Sequence, residues 1–167
     1  MIDLYKLLAE HDIEYECYDH PAVFTVDEAQ RMVPELPGAK TKNLFLRDGK
    51  GRRHFLVVVP AHKRVNIKGL GQKIDAGRLS FASPPRLKKC LGVDPGSVTL
   101  LAVVNDPAHQ VEVLIDSETR QAEFFKFHPL VNTATLLIPK EALEKFLGVT
   151  GHRAGVIDVP VVEEKSD

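Results

Sequence analysis

The chain has 167 residues, 44% hydrophobic and 27% charged, with a net charge of −1. That is enough for one soluble domain with a sizeable core, and no apolar run approaches a membrane span. The N-terminal "MIDLYKLLAEHDIEY" carries acids and no small-residue cleavage site, unlike a signal peptide, and Cys17 and Cys90 are too far apart for a C-x-x-C pair. This cysteine usage suits a reducing cytosol and argues against a disulfide framework or a zinc knuckle.

Ile2, Leu4, Leu7 and Leu8 recur at helical spacing, so the chain is expected to open with an amphipathic helix. "EYECYDH" reads as a short strand ended by Pro21. "TVDEAQRMV" starts with a capping box, Thr25 as N-cap and Glu28 three residues later, and should stop before Pro34. "KNLFLRDGKGRRHFLVVVP" predicts a hairpin turning at Asp48-Gly49-Lys50-Gly51. Its second strand, Phe55–Val59, is apolar enough for a sheet centre. A helix capped by Asn66, a short strand in "RLSFA" and a helix from Ser83 to Gly92 follow. "DPGSVTLLAVVND" reads as a turn into a strand that breaks at Asn105-Asp106-Pro107. "HQVEVLID", "QAEFFKFH" and "NTATLLIPK" read as strands, "KEALEKFLG" as a helix and "AGVIDVP" as a last strand. The expected architecture is α/β: a single mixed, largely antiparallel curved sheet with interleaved helices. Residues 1–160 form one domain, and 161–167 a frayed C-terminal tail.

The charge is segregated. Residues 40–89 hold fourteen Lys/Arg and two acids, a surplus of +12 inside a chain whose remainder carries −13. A basic segment in an acidic chain fits a polyanion footprint; equally, its charges could sit on unrelated faces and never converge. No phosphate loop, dinucleotide fingerprint or G-x-S-x-G elbow is present, and the seven histidines lack zinc-site spacing. Cys90, between Leu87 and Leu91, reads as a packing residue.

Three features remain. Lys42-Asn43 stands at the mouth of the apolar strand Leu44–Leu46, where a lysine is usually just solvated but can also face an anion. "DPGSVT" puts Gly96 and Ser97 in a turn whose amides could bind an oxyanion, although most such turns merely reverse the chain. "FHPLVNTAT" sets His128 after an apolar strand, with Asn132 and Thr133 just beyond; a histidine there more often braces a loop than catalyses. Together they supply a cation, turn amides and polar side chains at strand ends, a fair site for an ester attached to a polyanion.

The blocks "KTKNLFLRDGKGRRHFLVVVPAHKRV", "RLSFASPPRLKKCLGVDPGSVT", "NDPAHQVEVLID" and "FHPLVNTATL" closely resemble the free-standing prolyl-tRNA editing proteins of the ProX/YbaK family and the editing domain inserted in many bacterial prolyl-tRNA synthetases. The likeness runs over nearly the whole chain. It implies a cytoplasmic, cofactor-free and metal-free hydrolase, with a monomer favoured, that clears mischarged tRNA for proline at its acceptor end; alanine is the expected amino acid and prolyl-tRNA synthetase a possible partner. The need is physical, because a pocket shaped for proline rejects a slightly smaller amino acid by only about 1–3 kcal/mol.

By that resemblance Lys42 is the catalytic lysine, followed by Asn43. The substrate loop falls on Gly96-Ser97-Val98-Thr99-Leu100, and His128 is the pocket histidine. Asn132 and Thr133 are further expected substrate contacts. Leu100 departs from a family pattern that usually ends this loop in proline. The implied mechanism needs no covalent nucleophile. Amides at Gly96 and Ser97 receive the carbonyl oxygen, Lys42 supplies positive charge, Asn43 and His128 orient the adenosine or a water, and a ribose hydroxyl assists proton transfer. Two alternatives stand beside it: a deacylase for another small amino acid, cysteine or serine, and a non-catalytic tRNA-binding module.

Overall fold

The structure, a computed structural model, describes residues 2–32 and 35–163. Its elements in chain order are α1 (Leu4–Glu10), β1 (Glu16–Asp19), α2 (Val26–Met32), β2 (Thr41–Arg47), β3 (His54–Pro60), α3 (Ile67–Lys73), β4 (Ser80–Phe81), α4 (Pro84–Leu91), a 3-10 helix (Leu100–Asn105), β5 (Val111–Asp116), α5 (Ser117–Arg120), β6 (Phe124–Phe127), β7 (Ala134–Pro139), α6 (Lys140–Thr150) and β8 (Ala154–Ile157). The expected stop of α2 before Pro34 and the end of the tail, 164–167, lie outside the described residues. Val161, assigned to the tail, forms a bridge with Val65, and the Val162 N–H donates to the Arg64 carbonyl.

Local chemistry explains most boundaries. Thr25 accepts from the Glu28 N–H, and the Glu28 carboxylate returns to the Phe24 N–H, one residue earlier than a standard box. Asn66 caps α3 by accepting from the Gly69 N–H, and Ser83 caps α4 by accepting from Arg86. Gly92 ends α4 in the left-handed region. The β2–β3 turn is held by Asp48, whose carboxylate accepts from the Arg52 and Arg53 N–H groups.

Two expectations are corrected. The single sheet is two. β1-β7-β6 is antiparallel throughout. The second sheet runs β4-β2-β3-β5-β8, with β3-β5 and β5-β8 parallel. They are seamed by one parallel bridge, Ala39 to Phe125, just before β2 begins. Gly38 makes this seam possible: it sits at φ 104°, and a Cβ there would lie 2.8 Å from the Phe124 carbonyl oxygen.

The second correction is Leu100–Asn105, a 3-10 helix rather than a strand. Leu100, Leu101, Ala102, Val103 and Val104 are all buried, and an apolar run with no polar face carries no period from which to tell strand from buried helix. Thr99 decides it locally, accepting from the Leu101 N–H. Leu100 itself is a core residue at the first helical position, while Thr99 is extended (φ −153°, ψ 146°). That backbone suits the usual proline as well; here the loop is anchored by burial of the leucine instead.

The main core lies between the two sheets, α1, α4, α6 and the 3-10 helix, and includes Phe45, Leu56, Val58, Phe125, Phe127, Leu136 and Ile138. A smaller core on the opposite face of the five-stranded sheet gathers Leu46, Phe55, Val57, Val59 and Leu70 of α3. β3 is buried along its whole length, as a central strand must be.

Candidate active site

Strand alternation sorts the site residues. Phe45 faces the main core, whereas Leu44 and Leu46 face the smaller one. Lys42, paired with Val59, therefore leaves β2 on the face of Leu44, and Asn43, paired with Val58, on the face of Phe45. The two neighbours point to opposite sides. The Asn43 Oδ1 and the Thr41 Oγ1 are buried on that core side without a hydrogen-bond partner among the described residues.

The seam carries this order across to the three-stranded sheet. Ala39 is level with Phe125, so Lys40 and Lys126 emerge on the same outer face, away from the main core. Lys42 follows on that face, about 7 Å along the strand from Lys40. On β7, Leu136 and Ile138 enter the main core, leaving Thr135 on the outer face. Lys42, Lys40, Lys126 and Thr135 thus share one surface.

Two histidines complete it. The His20 Nδ1–H donates to the Pro21 carbonyl at 2.8 Å, so in the neutral ring Nε2 accepts from the Thr135 hydroxyl at 2.9 Å. The His128 Nδ1–H donates to the Ala134 carbonyl at 3.1 Å, which makes its Nε2 the lone-pair nitrogen. The rings stand 6.2 Å apart. Burial pushes the His128 pKa down, and the His20 ring adds to this against the opposing pull of the Ala134 carbonyl.

This has a measurable consequence. A histidine whose folded pKa is depressed takes up its proton in the unfolded chain first. Stability then falls as pH drops below the ordinary value of about 6.5, and is unaffected above it. Urea melts at a series of pH values will show a shallower acid-side loss for His128→Asn than for the parent chain; parallel curves would mean that the folded ring titrates normally.

Gly96 sits at φ 91° in the left-handed region, and a Cβ there would approach Phe24 Cδ1 to 3.0 Å and Asn132 Nδ2 to 3.7 Å. The turn, the Phe24 ring and Asn132 therefore adjoin, with Phe24 67% exposed. The Ser97 N–H is engaged by the Asp94 carbonyl at 3.0 Å and cannot also serve an oxyanion; its residue is buried. The N–H groups of Gly96 and Val98 carry no hydrogen bond among the described residues. Asn132 clasps the 20–24 segment: its Nδ2 donates to the Val23 carbonyl and its own carbonyl accepts from the Val23 N–H. Thr133 holds the same segment by accepting the His20 N–H.

The sequence-derived set thus divides. Gly96, Asn132, Thr133 and His128 gather around residues 20–24, Lys42 shares an outer face with Lys126 and Thr135, and Asn43 faces inward. His20, Phe24, Lys40, Lys126 and Thr135 were missed. Lys126 had a signal, since in "FFKFH" the phenylalanines flanking it alternate with Lys126 and His128.

The basic segment is partly consumed by structure. Arg53 pairs with Glu112, Lys63 with Asp116 and Lys88 with Asp94, while Arg47, Lys73 and Arg86 donate to backbone carbonyls. Lys40, Lys42, Lys50, Arg52, Arg64, Lys68, Arg78 and Lys89 make no such contact among the described residues. Lys50 and Arg52 lie at the hairpin turn; Lys40 and Lys42 lie at its other end.

A strand-end lysine, a histidine with a free lone pair and a positive-φ turn with unengaged amides are groups of the kind that ester hydrolysis can use. The sequence model of the aminoacyl-tRNA editing domain matches residues 20–146; the chain belongs to that family and is an aminoacyl-tRNA deacylase. It is 37% identical over 152 residues to the prolyl-tRNA editing protein ProX of Acetoanaerobium sticklandii, covering 91% of this chain and 93% of that one. It is 36% identical over 154 residues to prolyl-tRNA synthetase associated domain-containing protein 1 of Xenopus laevis, covering 90% and 91%. The fold matches a crystal structure described as that of a candidate trans-editing enzyme for prolyl-tRNA synthetase, with a TM-score of 0.67 at 20% identity over 93% of each chain. A hypothetical protein matches with a TM-score of 0.72 at 19% identity, over 93% of this chain and 97% of that one. Among the described residues no helix is long and apolar enough to cross a membrane.

Proposed function

We propose that this protein hydrolyses the ester linking a wrong amino acid, foremost alanine, to tRNA for proline, acting in trans as a cytoplasmic monomer on the acceptor end. The reading rests on the shared outer face, on which Lys42 follows Lys40 along β2 and His128 follows Lys126 along β6, with the Gly96 turn against Phe24 and Asn132. In the reaction, water adds to the ester carbonyl, charge develops on its oxygen, and the bond to the ribose oxygen breaks as that oxygen takes a proton. The Lys42 ammonium and the Gly96 and Val98 amides stabilise the oxyanion. His128 Nε2 accepts from the attacking water, and the neighbouring ribose hydroxyl relays the proton.

Phe24, exposed beside Gly96, is suited to stack on the terminal adenine. Asn132 and Thr133 act by holding the 20–24 segment over the site, and Asn43 supports β2 from the core side. The relative named as a prolyl-tRNA editing protein and those named for association with prolyl-tRNA synthetase support the choice of tRNA.

A panel of tRNA(Pro) charged with alanine, cysteine, serine or proline tests this. Release of alanine at least tenfold faster than that of the others is the expected result. Preference for cysteine or serine reassigns the substrate, and retention of charged tRNA on a gel without any release would make the protein a binding module.

A further inference from the structure

Lys40 and Lys126 stand side by side, and no salt bridge is made by either among the described residues. The bridge of Ala39 to Phe125 sets the next residue of each strand side by side on the outer face, at the spacing of adjacent strands, about 4.8 Å between backbones. Lys126 is half-buried and donates to the Leu36 carbonyl at 3.3 Å, a neutral partner. Two like charges held together at a seam cost energy unless something negative comes to them. Burial and then the Lys40 charge pull the Lys126 pKa down, against the opposing pull of the Glu35 carboxylate.

We propose that Lys40 and Lys126 form a phosphodiester-binding pair that receives the 5′ phosphate of the terminal adenosine whose 3′ ester lies at Lys42. The inference rests on the deacylase reading and deepens it. Lys42 follows Lys40 on the same face by about 7 Å, which is the scale of one nucleotide between its ester and its 5′ phosphate. The rigid strands fix both ends of that nucleotide at once, so the phosphate acts as a ruler that presents the carbonyl to Lys42. The pair is distinct from the cations at the hairpin turn, Lys50 and Arg52, which are the length of β2 away.

The test compares two small esters, 3′-alanyl-adenosine and its 5′-phosphorylated form, as the ratio of their kcat/KM values. The parent chain should favour the phosphorylated ester by about tenfold. Lys126→Ala and, separately, the exposed Lys40→Ala should each bring the ratio close to one, and Lys126→Arg should restore it. If both variants keep the parent ratio, even with both rates lowered alike by a disturbed 35–38 segment, the pair does not bind phosphate. If the parent hydrolyses neither ester, the deacylase reading fails, and titration with adenosine 5′-monophosphate against adenosine decides the pair on its own. A phosphate-dependent affinity lost in the variants upholds it, and equal affinities overturn it.

Discussion

Lys42→Ala will lower ester hydrolysis by about two to three orders of magnitude, the range seen when one preorganised oxyanion partner is removed. The fold will survive. Lys42 is half-buried at the end of β2, makes no ion pair among the described residues, and is followed by Leu44, Phe45 and Leu46, which carry the packing. The loss should therefore fall on kcat, with little change in the affinity for uncharged tRNA. Lys42→Met keeps the aliphatic stem and should be as inactive as alanine, whereas Lys42→Arg, which keeps the charge in a different shape, should be partly active. Single-turnover release of alanine, together with circular dichroism, measures this. Full activity in the methionine variant would remove the ammonium from the mechanism.

The strand that carries Lys42 shows what the sequence could and could not reveal. Its pairing with β3 was legible, because Asp48-Gly49-Lys50-Gly51 specifies a turn and the run Phe55–Val59 leaves no polar face. The caps Ser83 and Asn66 were legible for the same reason: they act over three residues. The parallel β3–β5 pairing was not, since no local rule chooses a partner more than fifty residues away. The 3-10 helix at Leu100–Asn105 was hidden because burial on every side erases periodicity. Lys42 and His128 were legible as polar residues at strand ends and took their roles from a family likeness, but Lys42-Asn43 was read as one feature when period two had to part them. His20 could not be seen at all: its role depends on Thr135, 115 residues further on.

Asp116→Ala will destabilise the fold by about 3–5 kcal/mol, a large share of the roughly 5–15 kcal/mol that holds a domain of this size. Asp116 ends β5 and is fully buried. Its Oδ1 accepts from the Lys63 ammonium at 2.7 Å and from the Val159 N–H at 2.8 Å, while its Oδ2 has no partner among the described residues. The carboxylate gathers the turn after β3 and the segment after β8. Truncating it strands an ammonium only 15% exposed and a buried N–H. Lys63→Met does the reverse, leaving a buried carboxylate with one neutral donor, and should cost a comparable amount.

Asp116→Leu combined with Lys63→Met removes both charges into an apolar patch beside Val59 and Val159. It should cost only about 1–3 kcal/mol, the price of the orphaned Val159 N–H. The pair is thus strongly coupled without adding much net stability, and urea melts of the four proteins report that coupling directly. Additive losses would mean that water reaches the site and screens it. The register extends this to activity: Lys42 is level with Val59, and Val58 with Ile115, so Asp116 lies on the outer face two strands from Lys42. The charge-free double variant should keep its deacylase rate if the pair serves only to fix these strand ends, and should lose it if the carboxylate also sets the field around the Lys42 ammonium.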